Sequence, residues 1–225
     1  MIDIAPNDGR LVRDCPLGEP PQKQDGWIGC AYWKKVGLAV IEYFKSTWRV
    51  PPLPTEDHAQ TQFLFESIES NGSNAILLPA LQYGISAAGG GSYWAVASWY
   101  QVGSQTYYTT PVEVSAGDLL VGRIESTIYS TGAVDYHASF ANITDESRLA
   151  VCNAEELISI TVTAVSYNVK LSNSPTWSTV VFYPFHMSHS DGPIAVLPWL
   201  PVEGTNGMAS VTGDTGPLIT VFYPN

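Results

Sequence analysis

Basic side chains are scarce in this chain. Ten lysines and arginines stand against 21 aspartates and glutamates among 225 residues, a formal net charge of −11, with an isoelectric point near 4.6. That balance repels polyanions over long range, so neither nucleic acid nor a membrane surface is expected as a partner. No apolar run approaches the ~18 residues a membrane-spanning helix needs. The opening "MIDIAPNDGR" lacks the basic and apolar blocks of a secretory leader, which places the chain in the cytoplasm or on an unconventional export route, or outside the cell if a leader has been removed. Cysteine is sparse as well. Cys15, Cys30 and Cys152 allow one disulfide and a leftover thiol, show no metal-ligand spacing, and read as buried free thiols.

Chemistry-bearing motifs are equally thin. "HMSHSD" offers His186, His189 and Asp191 on a loop without a further strong ligand, so no metal is expected. "SAAGGGS" lacks the Lys-Ser/Thr ending of a phosphate loop, and no cofactor is implied. There is no Gly-x-Ser-x-Gly elbow, which argues against a serine hydrolase.

What is present is a run of short β-type segments. The first 25 residues, rich in Pro, Asp, Gly and Gln, read as an extended arm. Residues 26–225 read as one domain, loop-rich from about 186. Between them, β-branched and aromatic stretches alternate with Gly, Pro, Asn and Ser, the spacing of a sandwich or barrel. Expected strands include "GWIGCAYW", "IEYFKSTWRV", "QTQFLFES", "AILLPALQYG", "SYWAVASWYQV", "YYTTPVEV", "DLLVGRIES", "VDYHASFANI", "ELISITVTAVSYNV" and "STVVFYPF". No long helical pattern competes, and the fold class is all-β.

The ordered set "STWRVPP", "QTQFLFESIES", "AILLPALQYG", "GGGSYWAVASWY" and "VEVSAGDLL" resembles the glutamic peptidases, or eqolisins, particularly their bacterial and fungal homologues. Its most specific part is Leu-Gln-x-Gly at Gln82, followed by Tyr93, Ala95, Trp99 and Tyr100. The resemblance implies a two-sheet antiparallel β-sandwich of concanavalin A-like type, with two seven-stranded sheets and a cleft on one curved face. It also implies a mechanism: a glutamine and a glutamate hold one water, the carboxylate serving as general base and the amide stabilising the oxyanion. Gln82 matches the family glutamine.

Two registers compete for the glutamate. One aligns Asn153, Ala154 and Glu155 with the family's Asn-Ala-Glu, making Gln82 and Glu155 the catalytic pair. The other places Glu156, Leu157 and Tyr167 on family positions but puts Ser159 on a tryptophan, Val162 on the catalytic glutamate and Val165 on a second glutamate. It needs fewer gaps and is favoured. Strand parity bears on the choice. In "EELISITVTAVSY", Ile158, Ile160, Val162 and Ala164 alternate with Ser159, Thr161 and Thr163, so a core-facing even set would put Glu155 on the polar face.

The aromatic set divides in the same way, with Trp94 facing opposite to Tyr93 and Trp99. Tyr83, Tyr93, Trp94, Trp99 and Glu156 are the expected cleft residues, although about half of the aromatic side chains should be core. For Gln82 the plainer reading is a buried glutamine satisfied by backbone groups. The expectation is a family member with lost or weakened proteolysis that binds carbohydrate, in a lectin-like manner, or peptide. The alternatives are an active acid endopeptidase using Gln82 and Glu155, and a storage or defensive protein without a defined pocket.

Overall fold

The computed structural model describes residues 27–35, 37–54, 59–71, 74–144, 147–154, 156–167, 179–182, 186–190, 192–194, 199–203, 210–213 and 219–222. The expected arm at residues 1–25 lies outside them. In chain order the strands are β1 (Trp27–Lys34), β2 (Ile41–Arg49), β3 (Thr61–Ser70), β4 (Ala75–Ser86), β5 (Gly89–Val102) and β6 (Gln105–Tyr108). Next come β7 (Val112–Glu113), β8 (Leu119–Ile128), β9 (Val134–Phe140), β10 (Leu149–Ala154), β11 (Leu157–Tyr167) and β12 (Thr179–Phe182). The last are β13 (His186–His189), β14 (Gly192–Ile194), β15 (Leu200–Glu203), β16 (Ser210–Gly213) and β17 (Ile219–Phe222). The described residues contain no α-helix.

Two antiparallel sheets pack face to face. One has eight strands in the order β15-β1-β11-β3-β4-β5-β6, with β7 also pairing with β5; the other has six, β10-β9-β8-β2-β13-β14. A three-stranded sheet, β12-β17-β16, accompanies them. Among the described residues the split is eight and six, where the resemblance implies seven and seven. The carboxy-terminal segment, read as loop-rich, supplies β13 and β14 to one sheet and β15 to the other.

Burial explains the two textures of the sequence. All ten residues of β3 are buried, as are Ala75 to Gly84 of β4, and strands covered on both faces read as near-continuous apolar runs such as "AILLPAL". Strand β9 instead alternates buried and half-buried residues, as a strand with one solvated face does. Pro79 lies inside the central strand β4. The β3–β4 ladder pairs Phe65 with Ala80 and Ile68 with Leu77 but nothing between, the gap expected where proline has no N–H to give.

The interior between the sheets is built on Trp48, whose ring lies 5.7 Å from Phe140 and 5.1 Å from Phe182. Gly122 makes room for that ring. A Cβ there would fall 2.8 Å from the Trp48 ring and 2.9 Å from the Glu66 carboxyl carbon.

Three expectations need correction. "YYTTPVEV" is not one strand but β6 and β7, separated around Pro111, which cannot donate to a ladder. Strand β10 was not expected, because "LAVCNA" is a short edge strand with little apolar alternation. The cysteines are not all buried free thiols: Cys30 is disulfide-bonded and Cys152 is free and exposed.

Candidate functional site

The eight-stranded sheet has an inner face against its partner and an outer face. Leu64, Leu81, Val96 and Val162 belong to the inner cluster, whereas Phe63, Phe65, Ala80, Trp99 and Val165 form a separate outer cluster. Gln82 pairs with Phe63 on β3 and Ala95 on β5, so it lies on the outer face, where the family resemblance puts the cleft.

Its side chain is partly engaged. Gln82 is fully buried, its Nε2 donates to the Gly89 carbonyl at 3.0 Å, and its Oε1 accepts from Ser86 Oγ at 3.1 Å. Both partners come from the β4–β5 hairpin. A bulge between Tyr83 and Gly84 shifts the register, so that Tyr83 pairs with Trp94 but Gly84 with Gly91, and the tip folds over the amide. Glycine is required here. Gly90 has φ +118°, and a Cβ on it would meet Gly84 O at 2.3 Å and Gln82 Nε2 at 2.9 Å.

One row of the sheet runs Glu113, Ala95, Gln82, Phe63, Val165 across β7, β5, β4, β3 and β11. Of the residues named by the two registers, Val162 does not face Gln82. Val162 is fully buried in the inner cluster and pairs with Glu66, because the even residues of β11 pack the core. The outer position in the row of Gln82 is Val165, two strands and about 10 Å away. On the other side, also two strands away, is exposed Glu113, which sequence reasoning passed over; only the register reveals its alignment. Glu69 lies on the same outer face, where Ser67 Oγ and Thr161 Oγ1 donate to its Oε1 at 3.2 and 3.1 Å. It is six residues along β3 from Phe63, about 20 Å.

Glu155 lies outside the described residues. Its neighbour Glu156 is exposed and forms an ion pair with Lys35. Leu157, next in the chain, pairs with Ser70, seven residues along β3 from the partner of Gln82, a separation of about 23 Å. The structure therefore does not bring Glu156 to Gln82.

The aromatic residues divide as parity requires. Tyr83 and Trp94 are buried between the sheets with ring centroids 5.5 Å apart, so both are core and not cleft. Trp99 is on the outer face but fully buried, edge-on to Phe63 and against Tyr108. Tyr93 alone of the four is exposed, at 37%.

A second acid was missed altogether. Glu66 is buried between the sheets; Ser46 Oγ donates to its Oε2, and Oε1 has no hydrogen-bond partner. Burial raises its pKa from an ordinary 4.5 to about 8, against smaller lowering effects of the Ser46 hydrogen bonds and of Lys45. The signal was parity: in "QFLFESIE", Glu66 shares the spacing of Leu64 and Ile68. Among the described residues, no group of three or more His, Cys, Asp or Glu is arranged to hold a metal.

The sequence profile of the peptidase A4 family matches residues 26–198. The chain belongs to the peptidase A4 family. Two solved structures show the same fold at low identity. Scytalido-glutamic peptidase, bound to a transition state analog inhibitor, is 12% identical with a TM-score of 0.59, over 90% of this chain and 100% of that one. SCP-B, a member of the eqolisin family of peptidases in a complex with the tripeptide Ala-Ile-His, is 13% identical with a TM-score of 0.57 over the same shares. No curated protein sequence matches the chain. The peptidase A4 assignment agrees with the glutamic-peptidase resemblance and with the two-sheet sandwich.

Proposed function

We propose that this chain is a peptidase A4 family member that has lost proteolysis and binds an extended peptide at the exposed rim of the eight-stranded sheet, along the β4–β5 hairpin and β7. The observation that carries the reading is the row of the sheet in which Gln82 lies. Water activation by a glutamine and glutamate pair needs an amide free to donate to the developing oxyanion and a carboxylate within reach of the same water. Here one of the two Gln82 amide hydrogens is taken by Gly89 and its oxygen accepts from Ser86, and the outer position across the row on β11 is a valine rather than a carboxylate.

Peptide is favoured over carbohydrate because two proteins of this fold are described with a peptide-based transition state analog and with a tripeptide. The exposed groups beside Gln82 suit such a ligand. Tyr93 offers a partly exposed ring, Glu113 a carboxylate in the same row, and Ile85, 70% exposed, an apolar contact on the hairpin.

An array of immobilised ten-residue peptides, run beside an array of neutral oligosaccharides, tests the reading. Binding to a subset of peptides that is lost in Tyr93→Ala and weakened in Glu113→Gln is expected. A blank peptide array with a positive glycan array would move the reading to a lectin.

A further inference from the structure

The outer face of the eight-stranded sheet is dry, although the six-stranded sheet packs on the opposite side. Phe63, Phe65, Gln82, Trp99 and Val165 are each no more than 1% exposed. A face turned away from its partner sheet stays that dry only under a cover. Among the described residues, the partly buried apolar side chains packed against this cluster are Tyr32, Ala87, Ala88 and Tyr108. Tyr32 and Tyr108 belong to β1 and β6 and flank the face from within its own sheet, whereas the two alanines form the tip of the β4–β5 hairpin at the Gln82 end. Leu78, fully buried in the same cluster, lies four residues along β4 from Gln82, about 13 Å. Phe182 of the three-stranded sheet belongs to the inner cluster and so does not supply the cover.

A covalent link reaches this face. Cys30 is disulfide-bonded, and of the other two cysteines in the chain Cys152 is free, so the partner of Cys30 is Cys15. Cys30 is fully buried in the outer cluster, at the end of a row that continues through Thr163, Phe65, Ala80 and Ala97 on β11, β3, β4 and β5. A disulfide holds its two Cα atoms within about 7 Å, which ties Cys15 to the outer side of β1. Strands are about 4.8 Å apart, so Ala80 is roughly 14 Å from Cys30 along the row. The chain before Cys15 is long enough to cross it: 14 residues reach about 45 Å when extended. Val12 and Leu11, three and four residues before Cys15, come opposite β3 and β4 after about 10–14 Å of extended chain.

We propose that the segment before Cys15 is a strap that crosses the outer face from β1 toward β5, covers the apolar floor beside Gln82 and is held there by the Cys15–Cys30 disulfide, so that reduction opens the floor. Its own apolar residues, Ile2, Ile4, Leu11 and Val12, suit a floor of Phe63, Phe65, Leu78 and Trp99, and burying the two sets against each other supplies the attraction. The disulfide makes the contact intramolecular, which raises the effective concentration of the segment over the floor. Release is a balanced exchange: a dithiol gives two electrons and two protons to the Cys15–Cys30 bond, leaving two thiols, and becomes a cyclic disulfide itself. The exposed rim stays free in both states, so the strap and a peptide held at the rim do not compete.

The test uses the whole chain with the photoreactive residue benzoylphenylalanine in place of Leu11, irradiated, digested and read by mass spectrometry. Cross-links should fall on peptides from residues 61–102, which hold β3, β4 and β5, and digestion without reductant should recover Cys15 joined to Cys30. In Cys15→Ser, and in the parent treated with dithiothreitol, the cross-link yield should fall several-fold and the fluorescence of the apolar-surface dye 8-anilinonaphthalene-1-sulfonate should rise several-fold. Cys152→Ser, which removes the exposed free thiol, should change neither. If Cys15→Ser does not fold, the cross-link map of the oxidised protein decides alone, because it alters only the segment before Cys15. The proposal is overturned by cross-links on the six-stranded sheet, by no cross-links, by Cys30 recovered without Cys15, or by a yield that is the same with and without the disulfide. None of these readouts involves a peptide ligand, so they stand or fall apart from the reading of the rim.

Discussion

Replacing Glu66 with glutamine should remove most of the pH dependence of this protein's stability between mildly acidic and mildly alkaline solution. In the fold the Glu66 carboxyl keeps its proton up to about pH 8, whereas its ordinary value is 4.5. The folded state therefore holds a proton that the unfolded chain has released. The stabilisation is complete below about pH 4.5, falls as pH rises and is lost by about pH 8. At about 1.4 kcal/mol per pH unit, the interval is worth at most about 5 kcal/mol, a large part of the ~5–15 kcal/mol that holds a domain together. Glutamine has nearly the same shape, can accept from Ser46 and cannot ionise. Urea unfolding followed by tryptophan fluorescence, at several pH values from about 4 to 9, separates Glu66 from the surface acids, which both proteins share. The stability difference between variant and parent should be small at the acidic end and grow by several kcal/mol toward the alkaline end. Parallel curves over the whole range would refute the reasoning, since they would mean that Glu66 ionises without cost.

Other consequences follow from single contacts. Gly122→Ala puts a methyl group 2.8 Å from the Trp48 ring and 2.9 Å from the Glu66 carboxyl carbon; thermal unfolding should show a loss of about 1–3 kcal/mol. Gly90→Ala, at φ +118° and 2.3 Å from Gly84 O, should destabilise by more than about 1 kcal/mol and speed amide exchange in the hairpin that covers Gln82. A water-soluble maleimide should label exposed Cys152 in the native protein, while disulfide-bonded Cys30 should label only after reduction; mass spectrometry of tryptic fragments reads both.

Much of the fold was legible because sheet periodicity and punctuation are local. The expected segments in "IEYFKSTWRV" and "AILLPALQYG" became β2 and β4, and the parity of "ISITVTA" sorted its residues between the two faces of β11. What escaped depends on pairing between distant segments. β10 is held by β9 and the strands after residue 186 by their neighbours, so neither needed a strong pattern of its own. The candidate site divides likewise. Gln82 could be found from its motif, but its engagement by Gly89 and Ser86 arises from a bulge, and the alignment of Val165 and Glu113 with it arises from a register across five strands. Tyr83 and Trp94, read as cleft residues, are core because their parity on β4 and β5 is opposite to that of Gln82 and Trp99.

The proposed loss of proteolysis is tested most directly by incubating acid-denatured globin with the parent protein and with Gln82→Ala across the acidic range, and counting new amino termini by mass spectrometry. With the Gln82 amide held by its own hairpin and a valine in its row on β11, the parent should release no more termini than Gln82→Ala does. Robust cleavage by the parent that disappears in Gln82→Ala would contradict the proposal and establish an active acid endopeptidase.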